Sequence, residues 1–210
     1  MSRYYFSVDF RRKSATKSER YGAGHQLNIE RIRRPRTSRL LARLARALEA
    51  SRVPYLVTGA EAVSYYGTPR RSEDIDLIVM TSSPDDLRRV AGALRQEGFN
   101  ARRLEPGHNT IFDSGFRIDI KVKPELEKTH RIRLDHEIWL NLSTAENLIL
   151  AKLEFWDGKT FESSDAQDVM KIWARQRRKL NLSMIRAEAL KRRTYAKLAK
   201  IERYLSKTSS

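Results

Sequence analysis

The chain has 210 residues, 40% of them hydrophobic, and a formal net charge of +16, which is enough apolar material for one core domain of about 130–150 residues plus extensions. With no cysteine, neither a disulfide framework nor a thiolate metal centre can hold it together. No apolar run approaches the ~18 residues of a membrane span, and residues 1–13, "MSRYYFSVDFRRK", lack the apolar stretch of a secretory signal, so a cytoplasmic protein with no membrane partner is expected.

Residues 1–36 carry Gly22, Gly24 and Pro35 among scattered basic residues with no sustained period, and they are expected to form an extension of uncertain order. Tyr4, Tyr5 and Tyr21 within it either stack on bases or belong to a disordered tail. From Ser38, Leu40, Leu41, Leu44 and Leu48 recur at helical spacing with arginines on the other side, which predicts an amphipathic helix. "PYLVTG" (54–59) predicts a short buried strand, and "AEAVSYYG" a brief helix closed by Gly67. In "DIDLIV" (74–79), Ile75, Leu77 and Val79 point one way, and Asp74, Asp76 and Ile78 the other.

"SSPDDLRRVAGALRQEG" predicts a helix with Ser83 as N-cap, Pro84 at its first position and Gly98 past its end. "FNARRL", "NTIFD" and "FRIDIKV" follow, the last two as a hairpin across Ser114-Gly115. "STAENLILAKLEFW" has Ser143 and Glu146 in capping-box spacing and an apolar surface of Leu148, Leu150, Ala151, Leu153 and Phe155. "SDAQDVMKIWARQ" is a second helix with a Ser164/Gln167 box, and "NLSMIRAEALKRRTYAKLAKIERYL" is expected to be one long basic helix docking through Ile185, Leu190, Leu198 and Ile201. Trp139, Trp156 and Trp173 are expected to pack in the core. His25, His108, His130 and His136 show no metal-ligand spacing. "DGKT" (157–160) ends like a P-loop, but the earlier glycine that motif needs would fall at Leu153, within a helix.

Two carboxylates two residues apart on a strand share a face, roughly 6.5–7 Å apart at the backbone. Such a pair placed in an otherwise apolar strand calls for a cation, and hard oxygen ligands suit Mg²⁺ or Mn²⁺. A pair of such ions suits in-line attack on phosphorus. Asp119, in the apolar strand "FRIDI", supplies a third carboxylate. Gly59, between a strand and a short helix, leaves backbone N–H groups open to a phosphate.

"TGAEAVSYYGTPRRSEDIDLIV" resembles the nucleotidyltransferase superfamily, whose signature is a hydrophobic residue, Gly, then Gly or Ser, about a dozen residues, and Asp-x-Asp. Gly59 stands at the first glycine, 13 residues separate Ala60 from Asp74, and Gly67, Arg70 and Ser72 match the form seen in minimal and AbiEii-like bacterial and archaeal branches. "STAENLILAKLEFWDGKTFESSDAQDVMKIW" is similar to those branches as well, so the resemblance covers about residues 40–175. It implies an α/β (α+β) fold, a mixed β-sheet flanked by helices with a C-terminal helical segment. The expected division is a basic extension (1–36), a nucleotidyltransferase-fold core (37–142) and a helical region (143–206).

The resemblance also implies roles. Asp74, Asp76 and Asp119 would be the catalytic and metal-binding residues. Gly59, Ala60, Arg70, Ser72 and Lys152 would hold the nucleoside triphosphate, with Asp168 in support; Lys152 can equally be a snorkelling lysine on a core helix. At position 60 alanine replaces the Gly or Ser of the motif. The expected activity is transfer of a nucleoside monophosphate to a hydroxyl. The alternative is a catalytically degenerate form that binds nucleic acid or a partner. A toxin–antitoxin-like module with a small helical partner protein would suit either.

The basic charge lies at the two ends: residues 1–39 hold 11 Lys/Arg against 3 Asp/Glu, and residues 175–210 hold 12 against 2. Cationic flanks on a nearly neutral body attract polyanions, although solvated charge-rich termini account for them too. On the first reading RNA, such as a tRNA end, is the preferred acceptor over a protein hydroxyl, with Arg186, Lys191, Arg192, Arg193, Lys197, Lys200 and Arg203 available to meet phosphates.

Overall fold

A computed structural model describes residues 35–69, 72–135 and 137–208, with backbone alone at 35, 36 and 208. The expected N-terminal extension and its tyrosines, His25, His136 and Arg70 therefore lie outside the described residues.

The elements, in chain order, are α1 (Pro35–Ser51), β1 (Tyr55–Val57), α2 (Gly59–Tyr66), β2 (Asp74–Met80), α3 (Pro84–Gln96), β3 (Gly107–Asp113), β4 (Phe116–Lys123), β5 (Thr129–Arg133), β6 (Trp139–Ser143), α4 (Ala145–Phe155), α5 (Ser164–Gln176), α6 (Leu182–Lys191) and α7 (Tyr195–Thr208). The strands form one mixed sheet in the order β3-β4-β2-β1-β6-β5. β2 runs parallel to β4 and β1 parallel to β6, while β1/β2, β3/β4 and β5/β6 are antiparallel. This is the expected α/β class with a mixed sheet and flanking helices.

Alternation assigns the two faces of the sheet. Ile75, Leu77 and Val79 of β2, with Ile118, Ile120 and Val122 of β4, enter the main core with Leu41, Leu44 and Leu48 of α1. On the reverse face Ile78 and Met80 pack with Leu56 in a small separate cluster, and Asp74 and Asp76 lie along that same face. The β3–β4 hairpin turns on Ser114 (φ 53°) and Gly115 (φ 84°), two successive left-handed residues whose twist suits a two-residue hairpin. This turn fixes the register from Asp113↔Phe116 through Thr110↔Asp119.

Several expectations need correction. β5 and β6 were not expected. β5 is an edge strand that buries only Ile132, with polar residues on either side, so it lacks the apolar alternation that marks a strand in sequence. "FNARRL" forms no strand. The N-cap of α4 is Thr144, which accepts from the N–H of Asn147, since Ser143 completes β6; that of α5 is Ser163, which accepts from Ala166. Phe155 is 76% exposed and Trp139 41% exposed; Trp139 lies under the Arg131 guanidinium, 5.5 Å from its ring centre.

The expected long final helix is two helices. Arg193 takes φ 57°, and the Thr194 N–H reaches back to the Ala189 carbonyl (2.8 Å), an ending typical of a helix C-terminus. Ile185 and Ala189 of α6 and Leu198 and Ile201 of α7 are buried, whereas Leu190 is 61% exposed. The break lets both halves pack, which one straight amphipathic rod would not.

Arg43 ties α1 to the end of α3. Its guanidinium donates to the Glu97 carbonyl (3.0 and 2.6 Å) and to Asp113 (2.8 Å), and it stacks over Phe99 at 4.4 Å. Replacing it strands both a helix-end carbonyl and a carboxylate. Arg43→Ala is therefore expected to cost roughly 1–3 kcal/mol, read as a lower urea midpoint at unchanged m-value.

Candidate functional site

The parallel pairing of β2 with β4 sets Asp76 directly beside Asp119, and Asp74 beside Arg117. Neighbouring strands lie about 4.8 Å apart, so three carboxylates share one small area of the reverse face. Asp74, Asp76 and Asp119 were all expected from the sequence; the strand order is what sets Asp119 beside Asp76.

Gly59 closes the site from the other side. It is left-handed (φ 60°), and a Cβ built on it would stand 1.9 Å from Asp76 Oδ2, so no side chain fits there. The Thr58 N–H donates to the Asp76 carbonyl (2.9 Å), which locks the start of α2 against β2. Thr58 makes no side-chain cap on α2, and the first N–H groups of a helix, having no intrahelical partner, can meet an anion. Ala60 is buried and retains its N–H.

The surrounding groups answer the charge of the cluster. Ser72, expected to help hold the nucleotide, donates its hydroxyl to Asp74 Oδ1. Thr110 donates to Asp119 Oδ1 (2.8 Å), and His108 Nε2 lies 3.2 Å from the same oxygen. Arg117 bridges the cluster, with Nε 2.9 Å from Asp119 Oδ2 and Nη2 3.3 Å from Asp74 Oδ2. Burial raises the pKa of Asp76, and the charges of Asp74 and Asp119 raise it further, against Lys152 and Arg117, which lower it. Burial acts to raise that of Asp119 too, but hydrogen bonds from Thr110 and His108 and the Arg117 charge outweigh it and leave it below the ordinary carboxylate value.

Lys152 is thus within electrostatic reach of Asp76, but its ammonium contacts Asp165 (2.8 Å) and the buried Asp168 (3.2 Å). Asp168, expected as a supporting residue, holds Lys152 in place. The sequence reading missed Arg117, Thr110 and His108. Their signal was present: counting back across the Ser114-Gly115 turn pairs Thr110 with Asp119, and alternation puts Arg117 on the face of Asp119.

Against solved structures, the antibiotic-resistance factor ANT(2'')-Ia aligns over 80% of this chain and 98% of its own, with TM-score 0.54 and 12% identity. The chain has a nucleotidyltransferase fold. A nucleotidyltransferase-like antigenic protein from Paracoccidioides brasiliensis aligns over 78% of this chain and 90% of its own (TM-score 0.45, 12% identity), and JHP933 from Helicobacter pylori over 82% and 98% (TM-score 0.44, 13% identity). No family model and no curated protein matches the sequence. Among the described residues no helix is long and apolar enough to cross a membrane.

A nucleotidyltransferase fold raises the question of a divalent metal. Among the described residues no group of three or more His, Asp or Glu side chains stands ready to enclose an ion. The donor set nevertheless fits one in kind: three carboxylates on two adjacent strands, their repulsion partly offset by a guanidinium between two of them. The close fit of Gly59 against Asp76 gives the first test. Gly59→Ala imposes a left-handed alanine, costing about 1–2 kcal/mol, and pushes the Asp76 carboxylate aside. Gly92→Ala, in the open middle of α3, is expected to be neutral or stabilising by roughly 0.5–1 kcal/mol. Thermal melts of the pair decide the matter; equal stability would remove the packing role given to Gly59.

Proposed function

We propose that the chain is a metal-dependent nucleotidyltransferase that moves a nucleoside monophosphate from a nucleoside triphosphate to a hydroxyl. The observation that carries this reading is the junction of Gly59 and Asp76, with Asp74 on the same strand face and Asp119 directly across on β4. In the reaction the acceptor oxygen bonds to the α-phosphorus, the bond from that phosphorus to the β-phosphate bridging oxygen breaks, pyrophosphate leaves with the electron pair, and the hydroxyl proton passes to solvent. Asp74, Asp76 and Asp119 would hold Mg²⁺ or Mn²⁺. When bound, such ions neutralise phosphate charge and lower the pKa of the acceptor hydroxyl.

The protein's own groups prepare that chemistry. Ser72 and Thr110 fix the Asp74 and Asp119 carboxylates. The uncapped start of α2 offers N–H groups to the phosphates, and Ala60 removes nothing from that backbone contribution. Lys152, buttressed by Asp165 and Asp168, adds positive charge beside the cluster.

RNA is the proposed acceptor, because the basic flanks favour a polyanion over a cationic small molecule. Several of the C-terminal cations also serve the fold. Arg186 pairs with Glu202 (2.9 Å), Lys191 with Glu188 (2.6 Å) and Arg192 with Glu154 (2.9 Å). Such exposed pairs are weak and leave a phosphate able to compete.

The second reading, a degenerate module that binds nucleic acid or a small helical partner, is favoured by Arg117, whose guanidinium already bridges two of the carboxylates. A transfer assay separates them. With labelled triphosphates, Mg²⁺ and an RNA acceptor, wild type is expected to transfer label and Asp76→Asn to lose at least a hundredfold. At neutral pH Asp76→Asn is also expected to melt higher than wild type in the absence of metal. Because the folded-state pKa of Asp76 is raised, its ionised form works against the fold above the ordinary carboxylate value, and that advantage vanishes as pH falls and Asp76 is protonated. No transfer by wild type with any triphosphate would leave the binding module. Calorimetry with Mg²⁺ is expected to show severalfold tighter binding to Arg117→Gln, since a competing cation is gone; weaker binding would show that Arg117 assists the site.

A further inference from the structure

On the opposite side of the sheet from the carboxylates, a cleft of about 980 Å³ opens between α3, the segment 102–106 and the end of β4. Ligand clefts typically measure about 300–1,000 Å³, so this one suits a whole small molecule. Its floor is apolar, formed by Leu87 and Ala91 of α3 with Leu104 and Val122. Its rim carries four arginines, Arg88, Arg95, Arg102 and Arg103, against one lining carboxylate, Glu105.

The state of these arginines matters. Arg95 is fixed, donating from Nη1 to the carbonyls of Ala101 (2.8 Å) and Arg102 (2.9 Å), which pins the segment that bears the next two. Arg102 makes no ion pair among the described residues. Arg88 pairs with Asp85, and Arg103 with Glu105 (2.8 Å), all at exposed side chains; pairs of that kind contribute little and exchange readily. Guanidinium groups bind phosphate and carboxylate through paired N–H donors, so the rim fits an anionic head above an apolar floor.

We propose that this cleft binds a small organic anion, an apolar or aromatic body with a phosphate-type or carboxylate-type head. The site is separate from the carboxylate cluster. Val122 lies three residues beyond Asp119 on β4, and alternation turns them to opposite faces, Ile118, Ile120 and Val122 being buried on one and Arg117, Asp119 and Lys121 lying on the other. An occupant of the cleft and a nucleotide at Asp76 can therefore be held at the same time.

The test titrates the full chain with 1-naphthyl phosphate, followed by naphthyl fluorescence anisotropy, with inorganic phosphate and 1-naphthol as single-feature controls. Saturable binding is expected, at least tenfold tighter than either control. It is expected to weaken at least tenfold in Arg102→Glu/Arg103→Glu, which changes only exposed side chains, and in Ala91→Trp, which fills the floor, with melting temperatures checking that each variant folds. Asp76→Asn is expected to bind as wild type does. No saturable binding, binding that the double charge reversal leaves unchanged, or binding lost in Asp76→Asn instead would each overturn the proposal.

Discussion

Three like charges on two adjacent parallel strands are the constraint to which the rest of the site answers. A sheet spacing of about 4.8 Å gives Asp76 and Asp119 no room to avoid each other, and burial strengthens their repulsion. Ser72, Thr110, His108 and Arg117 each offset part of it, and Lys152 adds charge from α4. Gly59 is then required because the carboxylate that suffers most, Asp76, takes the volume where a side chain would stand. The order β3-β4-β2-β1 sets this arrangement: exchanging β4 for any other neighbour of β2 would separate the pair.

Much of this was legible in the sequence. The Asp74/Asp76 alternation, the positions of Gly59, Ser83 and Pro84, and the hairpin at Ser114-Gly115 rest on local rules, and local rules can be read in order. What was hidden depends on partners far along the chain. Alternation sets Arg117 beside Asp119, but its reach to Asp74 shows only once β2 lies beside β4. β5 shows almost no apolar alternation because an edge strand with charged residues on both sides of Ile132 differs little from a loop. The break at Arg193 was hidden because "KRRTYAK" continues a helical pattern without glycine or proline. Tertiary packing of Ala189 and Leu198 decides it against local propensity. The caps at Thr144 and Ser163 were displaced by one residue for a simpler reason: adjacent hydroxyls are equivalent in sequence, and only the end of β6 tells Ser143 from Thr144.

The strongly basic C-terminal region uses part of its charge within the fold. Lys197 and Lys200 donate to backbone carbonyls, and Lys200 also lies 5.8 Å from the centre of the Trp156 ring, so part of the charge closes the end of α4 and the turn after it. The carbonyls at the end of a helix attract cations, and α4 ends beside α7. On the proposed reading, the exposed Arg193 and Arg203 and the exposed pairs of Arg186, Lys191 and Arg192 with glutamates are what remains for a polyanion.

The reach of those two lysines has a temporal side. Lys197 meets the Leu153 carbonyl 44 residues back, and Lys200 meets Gly158 42 residues back. A ribosome releases residues in order, and domains gather structure as they emerge. The corner between α4 and α5 therefore spends the interval before α7 is made with its carbonyls on water and no ammonium over the Trp156 ring. A chain that stops near Thr194 lacks both lysines, and the carbonyls of Leu153 and Gly158 gain their donors only when α7 is made.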